Sequence, residues 1–189
     1  EAVMHRSTIL ESFIHHPFTT ERIRANIFSS NIRFWPAGLA ILSKHPIITQ
    51  RALIFNTPTY HAEAMSAKGV LYARINVDGK ALHIFNAHVQ AWPNSRCTRI
   101  RSMQIRQISE FIKFQNISDD EPVLLCGDFN VSVDDDDFLK AISKVGSVVS
   151  LREDSLPYTF DPLSNSLVGF DAIDEYISPL FDKGCYTEL

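Results

Sequence analysis

Three cysteines, Cys97, Cys126 and Cys185, are all that the 189 residues contain. They are too few and too dispersed for a disulfide framework or a zinc knuckle, and three free thiols is the plainest reading. Seven glycines and nine prolines are no enrichment, and no stretch is of low complexity. That excludes fibrous, linker-like and largely disordered chains. No apolar run approaches the roughly 18 residues of a spanning helix, and no signal peptide opens the chain. Positive charge is not in excess either. The formal net charge is −4, which argues against a protein that grips nucleic acid through its overall field. Four arginines, at 96, 99, 101 and 106, nevertheless lie close together. The first residue is Glu1 rather than Met, so the natural N-terminus is expected upstream.

What is present suits one domain with a sizeable core, since 45% of the residues are apolar. Val3, Ile9, Leu10, Phe13 and Ile14 predict a helix over 1–16, ended by Pro17. Residues 37–42 form a short apolar run that reads as a buried strand. Ser43 to Pro46 reads as a turn, and an extended piece starts at Ile47. Residues 70–77 alternate with period two and predict a strand. Asp78-Gly79 is a strong hairpin signal, and 81–88 predicts the return strand. A helix is expected over 95–114, with Ile100, Met103, Ile108, Phe111 and Ile112 on its apolar side. Pro122 to Cys126 is a continuous apolar run and reads as a strand buried on both faces. Asp134 to Asp137 precede a short helical pattern and read as the acidic start of a helix, with a calcium loop as the sharper alternative. Short extended pieces are expected over 146–151 and 174–178. Strands and helices mix with at least one antiparallel hairpin, so the fold class is α/β or α+β.

Polar groups cluster at two strand ends. One strand finishes at Asn86-Ala87-His88-Val89-Gln90, the other at Gly127-Asp128-Phe129-Asn130. Sheet termini are where such folds build sites, and residues at alternate strand positions point the same way. An acid and an amide on one face beside a histidine suit polarising a water and holding a phosphoryl group. Taken singly, His88 also reads as a core histidine, and Asp128 and Asn130 as turn residues.

Taken together, N-x-H-x-Q (Asn86, His88, Gln90), R-x-x-Q (Arg101, Gln104) and the apolar strand ending in G-D-F-N (Gly127 to Asn130) resemble the endonuclease/exonuclease/phosphatase superfamily. Within it, Gly38–Pro46, Ser66–Ile75, Ala87–Ala91, Arg101–Ile112 and Tyr158–Ser166 resemble the bacterial-type neutral sphingomyelinases. The resemblance runs from Glu1 to about Ile177. It implies a layered α/β/β/α sandwich of mixed, largely antiparallel sheets over a single domain, and Mg²⁺-dependent hydrolysis of sphingomyelin to ceramide and phosphocholine. It implies that Glu1 binds the Mg²⁺ and that Asp128 positions or deprotonates the attacking water. Asn130 would hydrogen-bond the phosphate, and His88 would donate to its oxygens. The partner would be sphingomyelin or another phosphodiester lipid at a membrane surface, with no nucleic acid expected, and the setting secreted or membrane-associated. Exposed aromatics such as Trp92 or Phe34-Trp35 could touch the membrane, though packing roles are the simpler reading.

The family also uses an Asn upstream of the Glu and an Asp-His pair on its last strand. The last histidine here is His88, and the family's L-D-Y-I segment appears as Ile173 to Ile177 with Glu175 inserted after Asp174. The expectation is therefore a domain lacking both ends, with these 189 residues inactive by themselves and prone to fold loosely. A nuclease of the same superfamily and a catalytically dead binding domain are the alternatives. An inositol-phosphate phosphatase is disfavoured, because no clustered Lys and Arg set serves several phosphates.

Overall fold

A computed structural model describes residues 16–21, 38–60, 63, 66–92, 94–131, 140 and 143. The helix expected over 1–16, the acidic run at 134–137, the pieces beyond 146, Glu1, Phe34-Trp35 and Asp174 lie outside the described residues.

The hairpin is the centre of the architecture. Strands β4 (Gly69–Val77) and β5 (Lys80–His88) pair antiparallel from Val77↔Lys80 to Gly69↔His88. Asp78 and Gly79 between them both take positive φ, 51° and 87°. Such a turn matches the twist of the flanking strands, which is why Asp-Gly marks it. Strand β3 (Ile47–Ile54) adds antiparallel to the other side of β4, and β6 (Val123–Asp128) adds parallel to β5. The sheet order is β3-β4-β5-β6. A parallel neighbour requires a crossover, and α1 (Ser95–Phe114) supplies it. Asn94 caps this helix, its side chain accepting from the Cys97 N–H at 3.0 Å. A second, two-stranded antiparallel sheet joins β1 (Phe18–Thr19) to β2 (Leu42–Ser43).

Each face of the large sheet is covered. On one, Val70, Tyr72, Phe85, Ala87 and Val89 pack with Ile105 and Ile108 of α1 and with Phe129 and Val131. On the other, Leu71, Ala73 and Ile75 pack with Leu39, Ile41 and Ala67. The fold is thus mixed α/β with two mostly antiparallel sheets, layered as expected.

Strand β4 forms where the alternation predicts it and is buried on both faces over its first five residues, because it lies inside the sheet with a core on each side. Three other expectations are corrected. Strand β6 is not buried on both faces: Val123 and Leu124 are 46% and 36% exposed, and β6 has a paired neighbour on one edge only among the described residues. Of the 37–42 run, the described residues 38–42 are strand only at Leu42, although Leu39 and Ile41 are buried as expected. On α1 it is Ile105, not Met103, that faces the core. A helix turns 100° per residue, and the stripe centred on Ile100, Ile105 and Ile108 leaves Met103 to solvent.

Candidate active site

The parallel ladder between β5 and β6 runs from His83↔Val123 to His88↔Asp128. Both strands therefore end at the same rim of the sheet, with His88 and Asp128 side by side. The Val89 N–H donates to the Asp128 carbonyl at 3.0 Å and closes the ladder. Glycine is required at 127. Its φ is +133°, and a Cβ there would lie 2.0 Å from the Ala87 carbonyl oxygen. Only a residue without a side chain lets β6 approach β5 closely enough to align His88 with Asp128.

His88 Nε2 lies 3.9 Å from Asp128 Oδ2, with the side chains 33% and 45% exposed. That separation exceeds a direct hydrogen bond and leaves the carboxylate open to water and substrate. Asn130 shapes the same rim. Its backbone N–H donates to Asp128 Oδ1 at 2.9 Å, and its side-chain Nδ2 donates to the Val89 carbonyl at 3.0 Å. Strand alternation does not relate Asp128 to Asn130, because β6 ends at Asp128 and Asn130 is left-handed, with φ 51°. A turn closed by the Asp side chain brings the two together instead. The turn reading of these residues thus holds, with both side chains at the rim beside His88.

A residue that the sequence reading did not single out stands at the centre of the rim. Lys68 is 1% exposed. Its ammonium donates to His88 Nε2 at 2.9 Å, to the Val89 carbonyl at 2.6 Å and to the Glu63 carboxylate. Three N–H bonds meet three acceptors, which is what a buried ammonium needs. Burial lowers the Lys68 pKa from the ordinary lysine value, and Glu63 opposes that shift. A lysine proton on Nε2 leaves a neutral His88 carrying its own proton on Nδ1. No periodicity marks Lys68, since the lysine sits just before β4 where a polar residue is ordinary. The only signal was its place inside the Ser66–Ile75 resemblance.

Around this centre the motif residues are structural. Gln90 Oε1 accepts from the Tyr60 N–H at 2.9 Å, and Gln90 Nε2 donates to Glu63. Gln104 Oε1 accepts from the Gln90 N–H at 2.8 Å. Asn86 Nδ2 donates to the Ala40 carbonyl at 3.2 Å. Arg101 is buried and donates to the Gln90 and Trp92 carbonyls at 3.1 and 2.7 Å, holding Trp92 at φ 79°. Within the arginine cluster, Arg101 is engaged with backbone, the Arg96 guanidinium lies 4.5 Å from the Tyr60 ring centre, and Arg99 and Arg106 are exposed.

Among the described residues no three His, Cys, Asp or Glu side chains converge on a metal position, and Glu1 lies outside them. The rim does offer oxygen donors, the Asp128 carboxylate and the Asn130 amide oxygen. A carboxylate-poor, water-accessible set of hard oxygens fits Mg²⁺, which keeps several of its waters.

Comparison with known proteins shows the family. The sequence model of Endonuclease/Exonuclease/phosphatase family 2 matches residues 3–156. The chain is 33% identical over 137 residues to Sphingomyelinase C 2 of Leptospira interrogans, covering 70% of this chain and 22% of that protein. It is 33% identical over 141 residues to a Staphylococcus aureus phospholipase C, covering 71% and 41%. The chain thus spans less than half the length of these curated relatives. Among solved structures, sphingomyelinase C of Streptomyces griseocarneus superposes with a TM-score of 0.74 at 24% identity, over 93% of this chain and 61% of that one. A Staphylococcus aureus beta toxin variant with bound magnesium gives 0.71 at 26%, over 92% and 61%. This chain belongs to the endonuclease/exonuclease/phosphatase family. The curated relatives it matches bear sphingomyelinase C and phospholipase C names.

Proposed function

We infer that the whole protein hydrolyses sphingomyelin at a membrane surface, releasing ceramide and phosphocholine. The observation that carries this is the β5–β6 register, which sets His88 against Asp128 at an open rim, in a chain whose relatives bear sphingomyelinase and phospholipase C names. Asp128, pinned by the Asn130 N–H, accepts a proton from water as the water oxygen attacks phosphorus. The bond from phosphorus to the ceramide oxygen breaks, and that oxygen takes up a proton. His88, polarised by Lys68, and the Asn130 amide face the phosphoryl oxygens as negative charge builds on them. A Mg²⁺ held by Glu1 would polarise a phosphoryl oxygen. These described residues supply only part of the machinery, and the same reading implies that the 189 residues alone are inactive. A secreted or membrane-surface location follows from the substrate.

Phosphocholine release from sphingomyelin vesicles by the full-length protein tests this. Release should require Mg²⁺, stop with a chelator, and fall by roughly 100-fold or more in His88→Ala. Cleavage of plasmid DNA without phosphocholine release would replace the substrate while keeping the hydrolase. Release undiminished in His88→Ala would overturn the role of His88.

A further inference from the structure

At the opposite end of the same strands lies a buried side-chain chain that the site does not use. His83, on β5, is 3% exposed. The Tyr72 hydroxyl on β4 lies 2.8 Å from His83 Nδ1, and Glu121 Oε2 lies 2.9 Å from His83 Nε2. A carboxylate only accepts, so Nε2 carries the proton and Nδ1 accepts from the tyrosine. Glu121 Oε1 also accepts from Arg74 of β4 at 3.3 Å. The His83 N–H donates to the Pro122 carbonyl at 3.0 Å. Tyr72 and His83 stack with ring centres 5.9 Å apart, and Tyr72 packs edge-on against Phe111 of α1.

Glu121 stands two residues before β6, just where the chain returning from α1 must choose its partner on β5. The sequence there gives no register of its own: Val123, Leu124 and Leu125 are interchangeable apolar residues, and the first two are exposed. A slip of one residue would turn every β6 side chain to the other face. It would also take Gly127 away from Ala87, where no other residue fits. We propose that His83 and Glu121 are positioning residues: they latch the start of β6 onto β5 in one register and thereby seat Asp128 beside His88. His83 is five residues from His88 on β5, about 16 Å at the rise of a strand, and Glu121 is seven residues before Asp128. The proposal rests on the phosphodiesterase reading only for its catalytic consequence, since the register itself is a property of the fold.

The experiment uses the full-length protein with Glu121→Leu and Glu121→Gln. The reporter is amide exchange at Val89, whose N–H is held by the Asp128 carbonyl at the far end of the ladder. Glu121→Leu should speed Val89 exchange by about tenfold while the β3–β4 amides stay protected. Its kcat for phosphocholine release should fall roughly 10- to 100-fold with KM unchanged. Glu121→Gln keeps an oxygen acceptor for His83 and should restore both. Tyr72→Phe, which removes only the hydroxyl that orients His83, should show the same pattern more weakly and serves if Glu121→Leu does not fold. Unchanged Val89 exchange overturns the proposal. So does exchange that rises evenly across both ladders, since that is general loss of stability. A wild-type protein that releases no phosphocholine would defeat the proposed function alone, and Val89 exchange would still decide the latch.

Discussion

Lys68 illustrates how a single side chain couples stability to the site. Its ammonium is enclosed, yet each of its three N–H groups has an acceptor on a different part of the rim: Glu63, Val89 and His88. Lys68→Met keeps the apolar stem and removes the charge. It leaves the Glu63 carboxylate without its cation and His88 Nε2 without its donor. Breaking such a buried pair costs about 3 kcal/mol or more, and urea unfolding should show a loss of that order. The proposed phosphocholine release should fall as well, because His88 loses the hydrogen bond from Lys68. A variant with wild-type stability and activity would show that the three contacts contribute nothing net. Arg101 makes the complementary point. It is one of four arginines close together in the sequence, and it holds two backbone carbonyls.

Glycines separate two kinds of constraint at the level of the element. Gly79 in the hairpin turn has φ +87° and nothing within 4 Å of a Cβ placed there. Gly79→Ala should therefore cost about 1 kcal/mol, the backbone strain alone. Gly127 has φ +133° and would drive a Cβ into the Ala87 backbone. Gly127→Ala must push β6 away from β5, and a loss of about 3 kcal/mol or more is expected from strain plus disrupted pairing. Thermal unfolding of the two variants side by side checks the difference, and equal losses would refute it. Activity should survive in Gly79→Ala and collapse in Gly127→Ala, since only the second displaces Asp128.

Among the described residues, two thiols stand without a disulfide, Cys97 buried and Cys126 half-buried. Burial raises the pKa of both Cys97 and Cys126 above the ordinary thiol value of 9.0. A raised folded value means that the unfolded chain gives up the proton first. The contribution to stability is complete below pH 9.0 and is lost as pH rises toward the folded values. Lys68, lowered by burial, acts in the opposite sense below 10.5, and Tyr72, raised by burial, adds its loss only above 10.0. The comparison that isolates the thiols is wild type against Cys97→Ala/Cys126→Ala between pH 9.0 and 10.0. The double variant, though less stable throughout, should lose less stability across that interval. Parallel pH curves for the two proteins would contradict the burial argument.

Local rules carried much of the fold into view. The Asp-Gly turn and its two strands, the helix over 95–114 and the strand ending in G-D-F-N are all encoded by residues close in sequence, through turn geometry and periodicity. The polar positions 86, 88, 90 and 127–130 were visible as the ends of those strands, and Arg101 and Gln104 only through the family resemblance. What the sequence by itself determined was therefore which polar residues end which strands. Tertiary structure decided the rest. Whether β4 is covered on one face or two depends on the residues 39–41 and on α1, which lie far along the chain. Whether Arg101 meets a phosphate or a carbonyl depends on where the chain after β5 passes. The pairing of Lys68 with His88 joins positions twenty residues apart across the sheet rim, and no repeat or spacing announces it. Burial, and the acceptors that satisfy a buried charge, exist only once the strands have been brought together.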